Sequence, residues 1–388
     1  MKLFKSLLVA PAALGLFVPL SANASEVNLK EISNYSDVEG IELSNTFNDD
    51  SELNTLLAGG EGLVDDVSYD SSFSSTTTAS FSADFYLGSE DTSSTETSTG
   101  EATDNDLDDS IMAGYSFQID LNTSFTGEDS LDISLDAGNA GAAGIAEFDG
   151  NGGGDALTVD GVAYTFPVGG ATVFVGDNSD GSSLFTTACV YGGPSNTLDD
   201  CANVNAGITG GDIAAGASYD FGNGFTFATG MQTSQEVLTE ESLDGIALNA
   251  AYTGESFGVS LTYSSVETSI TEEDTATAIN AYYTPEGLPS ISVGYETVDI
   301  GGAASTVDEK ESVFAGLTWD EVGPGSLGVA LGYSNIVEGS DEEYMYEAYY
   351  SYPINDGMTI TPLVFVKENA TAGQDDTTGV MVKTSFSF

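Results

Sequence analysis

The chain has no histidine and no arginine, and its 388 residues carry 6 lysines against 62 aspartates and glutamates. Each absence removes a class of chemistry. Without histidine there is no Ser-His-Asp or Cys-His nucleophile pair and no histidine-ligated zinc. Without arginine there is no planar fork for anionic substrates. A surface this acidic repels nucleic acid, whose binding depends on cationic side chains neutralising phosphates. Carboxylate-pair hydrolysis survives in principle, but acids are so abundant that any pair arises by chance, and no catalytic residue, cofactor or metal site is assigned. The charge also fits a halophile-like solubilising surface.

Long apolar runs are missing too. After residue 24 nothing approaches the roughly 18 unbroken apolar residues of a helical membrane span. The N-terminus has the other pattern: Lys2 and Lys5, an apolar stretch from Leu7 to Leu20, then Ala22-Asn23-Ala24. That predicts a cleaved export signal over 1–24, with the mature chain starting at Ser25. Its loss leaves Lys30, Lys310, Lys367 and Lys383 as the only cations. A soluble chain of this length would usually divide into domains, yet no linker or shift of composition appears. The expected organisation is a short periplasmic segment over 25–77 followed by one body over 78–388.

What the body does have is alternation with a period of two. Ile111, Ala113, Tyr115, Phe117, Ile119 and Leu121 form an apolar file, and Met112, Gly114, Ser116, Gln118, Asp120 and Asn122 a small or polar one. Leu131, Ile133 and Leu135 alternate with Asp132, Ser134 and Asp136. Ile246, Leu248, Ala250 and Tyr252 turn at Gly254-Glu255 into Phe257, Val259, Leu261 and Tyr263. Such files suit a sandwich or a barrel wall. Sixteen strands are expected, near 78–88, 110–122, 130–138, 157–166, 171–176, 212–221, 225–233, 243–252, 257–267, 276–283, 290–298, 311–319, 327–336, 343–352, 358–367 and 379–388. Short turns (123–129, 167–170, 222–224, 253–256, 284–289, 320–326, 353–357) alternate with longer acidic loops (89–109, 139–156, 177–211, 234–242, 268–275, 299–310, 337–342, 368–378).

A sandwich has no reason to place every long loop at one end, whereas a transmembrane antiparallel β-barrel does so with short periplasmic turns and long extracellular loops. Hydrocarbon supplies no partners for an open edge, so the sheet must close. Aromatics beside the short turns (Phe221, Phe225, Tyr252, Phe257, Trp319, Tyr352) would form an interfacial girdle. The last strand ends on Phe386 and Phe388, similar to the C-terminal signal that directs barrels to the assembly machinery.

Loop 177–211 is the longest and holds both cysteines. Cys189 and Cys201, twelve positions apart in an exported chain, are expected to form one disulfide, stiffening the loop by roughly 2–3 kcal/mol. The segments Phe148–Asp155 and Asp177–Gly181 resemble pieces of calcium loops but lack EF-hand spacing, and read better as flexible extracellular loops.

Several stretches resemble the porins of marine picocyanobacteria, relatives of the cyanobacterial major outer-membrane and iron-uptake porins. They are Met1-Lys2-Leu3-Phe4 with Val9–Gly15, Ser124–Asp129 followed by Asp136-Ala137-Gly138-Asn139, Ser351–Gly357 and Gly379–Phe388. The resemblance implies a sixteen-stranded, trimeric barrel in outer-membrane lipid, passing small ions, sugars or iron by diffusion. It also implies that the third long loop folds inward and narrows the lumen. The candidate pore-lining residues are Asp84, Asp120, Asp132, Asp136, Lys367 and Lys383, and rings of acids favour cations. Larger relatives carry a surface-layer-homology module, for which 25–66 is too short. The competing reading is a secreted, acidic, β-rich surface protein or adhesin with weak calcium binding.

Overall fold

The computed structural model describes residues 77–91, 110–142, 145–210, 213–234, 243–269, 272–302, 307–370 and 375–388. The export signal at 1–24, Lys30 and the segment leading up to the barrel lie outside them.

Sixteen antiparallel strands form one closed sheet. In chain order they are β1 Thr77–Asp91, β2 Met112–Thr123, β3 Ser130–Gly138, β4 Thr158–Val168, β5 Ala171–Asp177, β6 Ile213–Gly222, β7 Phe225–Thr233 and β8 Asp244–Thr253. The others are β9 Phe257–Ser269, β10 Glu272–Tyr283, β11 Ser290–Asp299, β12 Glu309–Val322, β13 Gly325–Val337, β14 Met345–Asn355, β15 Met358–Lys367 and β16 Thr377–Ser387. Each strand pairs with its chain neighbours, and β1 closes on β16 from Ser82↔Ser387 to Asp91↔Thr378. Phe388 finishes the seam. Its backbone exchanges hydrogen bonds of 2.9 and 3.0 Å with Phe81, and the two rings stack at 5.7 Å. Closure removes the edges a sandwich would keep.

One expected loop is not there. β9 continues to Ser269 and β10 begins at Glu272, with a bulge at Glu272/Glu273, so the described residues of 268–275 lie in paired strands rather than in a long loop. Polar residues on both files of Thr268–Thr277 hide the alternation, while the ladder there pairs the backbone all the same.

Side-chain burial is inverted relative to a soluble protein. On β8 to β11 the exposed file contains Ile246, Leu248, Val259, Leu261, Tyr263, Ile279, Val293 and Tyr295. The buried file holds Asn249, Ser260, Thr262, Ser264, Asn280, Ser292 and Glu296. A sheet in water puts its apolar face inward; this one puts it outward, as a wall facing hydrocarbon does. Phe225, Tyr252 and Phe257 contact one another in series beside the short turns, with ring centroids 4.8 and 5.1 Å apart. One such turn, Ser124–Asp129, is fixed by its last residue. Asp129 accepts hydrogen bonds from the backbone N–H of Phe125 and Thr126, from both neighbouring hydroxyls and from Tyr164. The Tyr164 bond leads in holding the Asp129 carboxyl well below the usual range.

Candidate functional site: the lumen and its two inward loops

Of the 35 residues between β5 and β6, here loop 3, those described run into the barrel and across its inner wall. Thr186 exchanges hydrogen bonds of 3.1 Å with Asn249 on β8. Ala188 N–H donates to Ser260 on β9 and Val190 N–H to Ser292 on β11, at 2.9 and 3.0 Å. Asn280 on β10 donates to the Cys201 carbonyl at 2.7 Å. Small wall residues allow this approach. A Cβ at Gly294 would lie 1.8 Å from the Cys201 carbonyl, and one at Gly230 would lie 1.7 Å from that of Gly181. Cys189 and Cys201 are joined by the expected disulfide, with Cα atoms 6.5 Å apart.

Three buried carboxylates hold the inner loops. Glu296 on β11 has no exposed surface, and it accepts the N–H groups of Asn205 and Ala206 at 2.8 and 2.7 Å and the Asn205 amide at 2.7 Å. Glu347 on β14 accepts the Tyr191 hydroxyl at 2.5 Å. Burial, then the Glu347 charge, pushes the Tyr191 phenol far above its ordinary value. Glu147 belongs to the segment between β3 and β4, here loop 2. It accepts Thr197 N–H at 3.0 Å, the Thr197 hydroxyl at 2.7 Å and Lys367 Nζ at 3.1 Å. A buried charge persists only when such partners satisfy it.

Loop 2 departs from expectation. The Phe148–Asp155 stretch reads in the sequence as a flexible outer loop, but its first half packs inside the barrel. Tyr86 donates to the Asp149 carbonyl at 2.6 Å, Asn151 N–H donates to Ser116 at 2.7 Å, and Phe148 forms a β-bridge with Ser195 of loop 3. Ile145 and Phe148 share one apolar cluster with Tyr191, Leu198 and wall residues such as Phe314 and Phe365. Burying those apolar side chains is what draws loop 2 in.

The acids picked out by alternation stand on the wall opposite the main loop 3 contacts. Registers Gln118↔Asp136, Asp120↔Ser134 and Asn122↔Asp132 put Asp120, Asp132 and Asp136 on the inward file of β2 and β3. Asp120 accepts from Gln118 and Ser134, both at 2.8 Å; Asp132 accepts from Ser130 at 2.7 Å and Asn122 at 2.5 Å; Asp136 accepts from Thr158 at 2.7 Å and from Asn151. Asp160, the extra residue of the β3–β4 bulge, feels the charges of Asp136, Asp120 and Asp180. Asp84 pairs with Lys383 at 3.4 Å, and that ammonium lies 5.4 Å from the Tyr86 ring centre. Asp84, Asp136 and Lys383 line one cleft of about 340 Å³, together with Asp149 and Asn151 of loop 2. Lys367 stands apart from them, bound to Glu147 and Thr197. Phe386 and Phe388 lie at the β1–β16 seam, where Phe386 meets Phe85 edge-on at 6.0 Å.

Sequence reasoning missed Glu147, Glu296 and Glu347. Alternation could have turned Glu296 inward, since Ile291, Val293 and Tyr295 occupy the outward file. It could not reveal which loop the carboxylate meets.

No family model matches the chain, and no curated protein matches it either. Solved structures do. Pseudomonas putida OprB superposes with a TM-score of 0.56 at 12% identity, covering 80% of this chain and 94% of that one. Two engineered variants of Rhodopseudomonas blastica porin give TM-scores of 0.51 at 12% and 11% identity, covering 81% of this chain and 100% of theirs. The class defined here is a closed sixteen-stranded barrel with a polar interior, an apolar outer belt and inward-folded loops. Its fold is that of these solved porins.

Proposed function

We propose that the chain is an outer-membrane porin, a water-filled passage for passive diffusion of small ions and hydrophilic solutes that prefers cations and performs no covalent chemistry. The inverted burial of the barrel wall carries this reading. An apolar outer file and a polar inner file suit a closed sheet with hydrocarbon outside and water within. A secreted surface protein would put its polar file outward. The acidic row Asp120, Asp132 and Asp136 supports the cation preference, because rings of carboxylates attract cations, and Lys383 is already matched by Asp84.

In this reading residues 1–24 direct export, 25–77 lead into the barrel, and Phe386 and Phe388 present the C-terminal signal to the barrel-assembly machinery. The resemblance to picocyanobacterial porins supports a homotrimer and a cyanobacterial source. The test is reconstitution of the signal-free protein in a planar lipid bilayer, beside unboiled and boiled samples on a detergent gel. Stepwise conductance together with a heat-dependent mobility shift is expected; a folded, heat-shifting barrel that never conducts would overturn the proposal.

A further inference from the structure

We infer that loops 2 and 3 form a single inner body clasped to the barrel wall by Lys367, and that this clasp sets the width and solute cut-off of the passage. The inference rests on the porin reading above and assigns Lys367 and Glu147 as positioning residues.

Three elements meet at one carboxylate. Glu147 of loop 2 is 2% exposed. One of its oxygens accepts both the Thr197 hydroxyl of loop 3 and the Lys367 ammonium of β15; the other accepts the Thr197 N–H. Lys367 Nζ also lies 3.2 Å from the Thr197 hydroxyl. Loop, loop and wall are therefore joined around one ion pair. Backbone pairing continues the junction at the next residue, through the Phe148–Ser195 bridge. Apolar packing extends it further, since Ile145 and Phe148 of loop 2 and Tyr191 and Leu198 of loop 3 share a cluster with Leu363 and Phe365 of the strand that carries Lys367.

The charge arithmetic shows why the lysine is needed. Glu147, Glu347 and Glu90 crowd this side of the lumen, since Glu147 acts electrostatically on both of the others. Lys367 is the only cation paired with Glu147 among the described residues. Remove the ammonium and a buried carboxylate is left with only the Thr197 donors, an arrangement that breaks rather than weakens a buried pair. The body it holds reaches the wall at β8 to β11 and β14 through loop 3 and at β1 and β2 through loop 2, and so fills part of the lumen. Releasing it would widen the passage without disturbing the outer sheet, whose ladders do not involve the clasp.

The test compares wild type, Lys367→Met, Glu147→Gln and the double variant. Single-channel conductance is read along with liposome swelling in sugars of increasing size, and a detergent gel reports the barrel. Wild-type channels must be seen first, and their absence would count against the porin reading rather than the clasp. With the heat shift intact, Lys367→Met is expected to raise conductance, add current flicker and admit larger sugars. The double variant is expected to move back toward wild type, because a neutral amide keeps the Thr197 contacts without an uncompensated charge. If Lys367→Met fails to assemble, Glu147→Gln decides, with a smaller rise expected. Wild-type conductance and sugar cut-off in the deciding variant would overturn the inference. So would equal effects in Lys367→Met and the double variant, which would mean that the lysine acts without the carboxylate.

Discussion

At the scale of the residue, the lumen is organised by acids that are held, not merely exposed. Glu296 exemplifies this: it sits on a wall strand with no exposed surface and takes three donors from loop 3. Replacing it with alanine orphans those donors, at about 1–3 kcal/mol for each that stays dry. Glu296→Ala is therefore expected to free the Asn205–Ala206 segment while leaving the sheet closed. The expected observation is increased current noise in bilayers and faster proteolysis of loop 3, with an unchanged heat shift. Quiet, wild-type currents would show that the Cys189–Cys201 bridge and the remaining contacts hold the loop alone. The positions of Asp120, Asp132 and Asp136 follow from alternation, which fixes the face of every residue once one face is known. The partners of Glu296 do not, because Asn205 lies 91 positions away and no local period encodes that distance.

At the scale of the element, strands were more legible than loops. Each strand carries its own pattern of two, so all sixteen were expected close to where they lie. Loop 2 was not, since glycines at 150 and 152–154 read as an exposed flexible segment while Ile145 and Phe148 find their burial only against distant strands. The contact between the two loops should also respond to pH. Burial first, then the charges of Asp200 and Asp149, pushes the Asp199 carboxyl up to about 8. A carboxyl raised above its unfolded value near 3.9 favours the docked state while protonated. That stabilisation declines as pH rises from the unfolded value and is gone above about 8. Conductance is thus expected to rise between roughly pH 4 and 8 as the loops repel, and Asp199→Asn to flatten that profile. A wild-type profile in the variant would move the titration to another group.

At the scale of the whole molecule, three properties coincide. The sheet is closed, its apolar file faces out, and its inner space is divided between a docked pair of loops and an acidic wall. The low cation content ties them to function: with no arginine or histidine anywhere in the sequence, no guanidinium stands across the lumen from the acids. The account's central claim is an aqueous passage whose acids select cations. The most direct test is the zero-current potential of single channels under a salt gradient, for wild type and for the combined Asp120→Asn, Asp132→Asn and Asp136→Asn variant. The account predicts a cation-selective potential that moves toward zero in the variant while stepwise conductance persists. An unselective wild type, or a variant with unchanged selectivity, would contradict it.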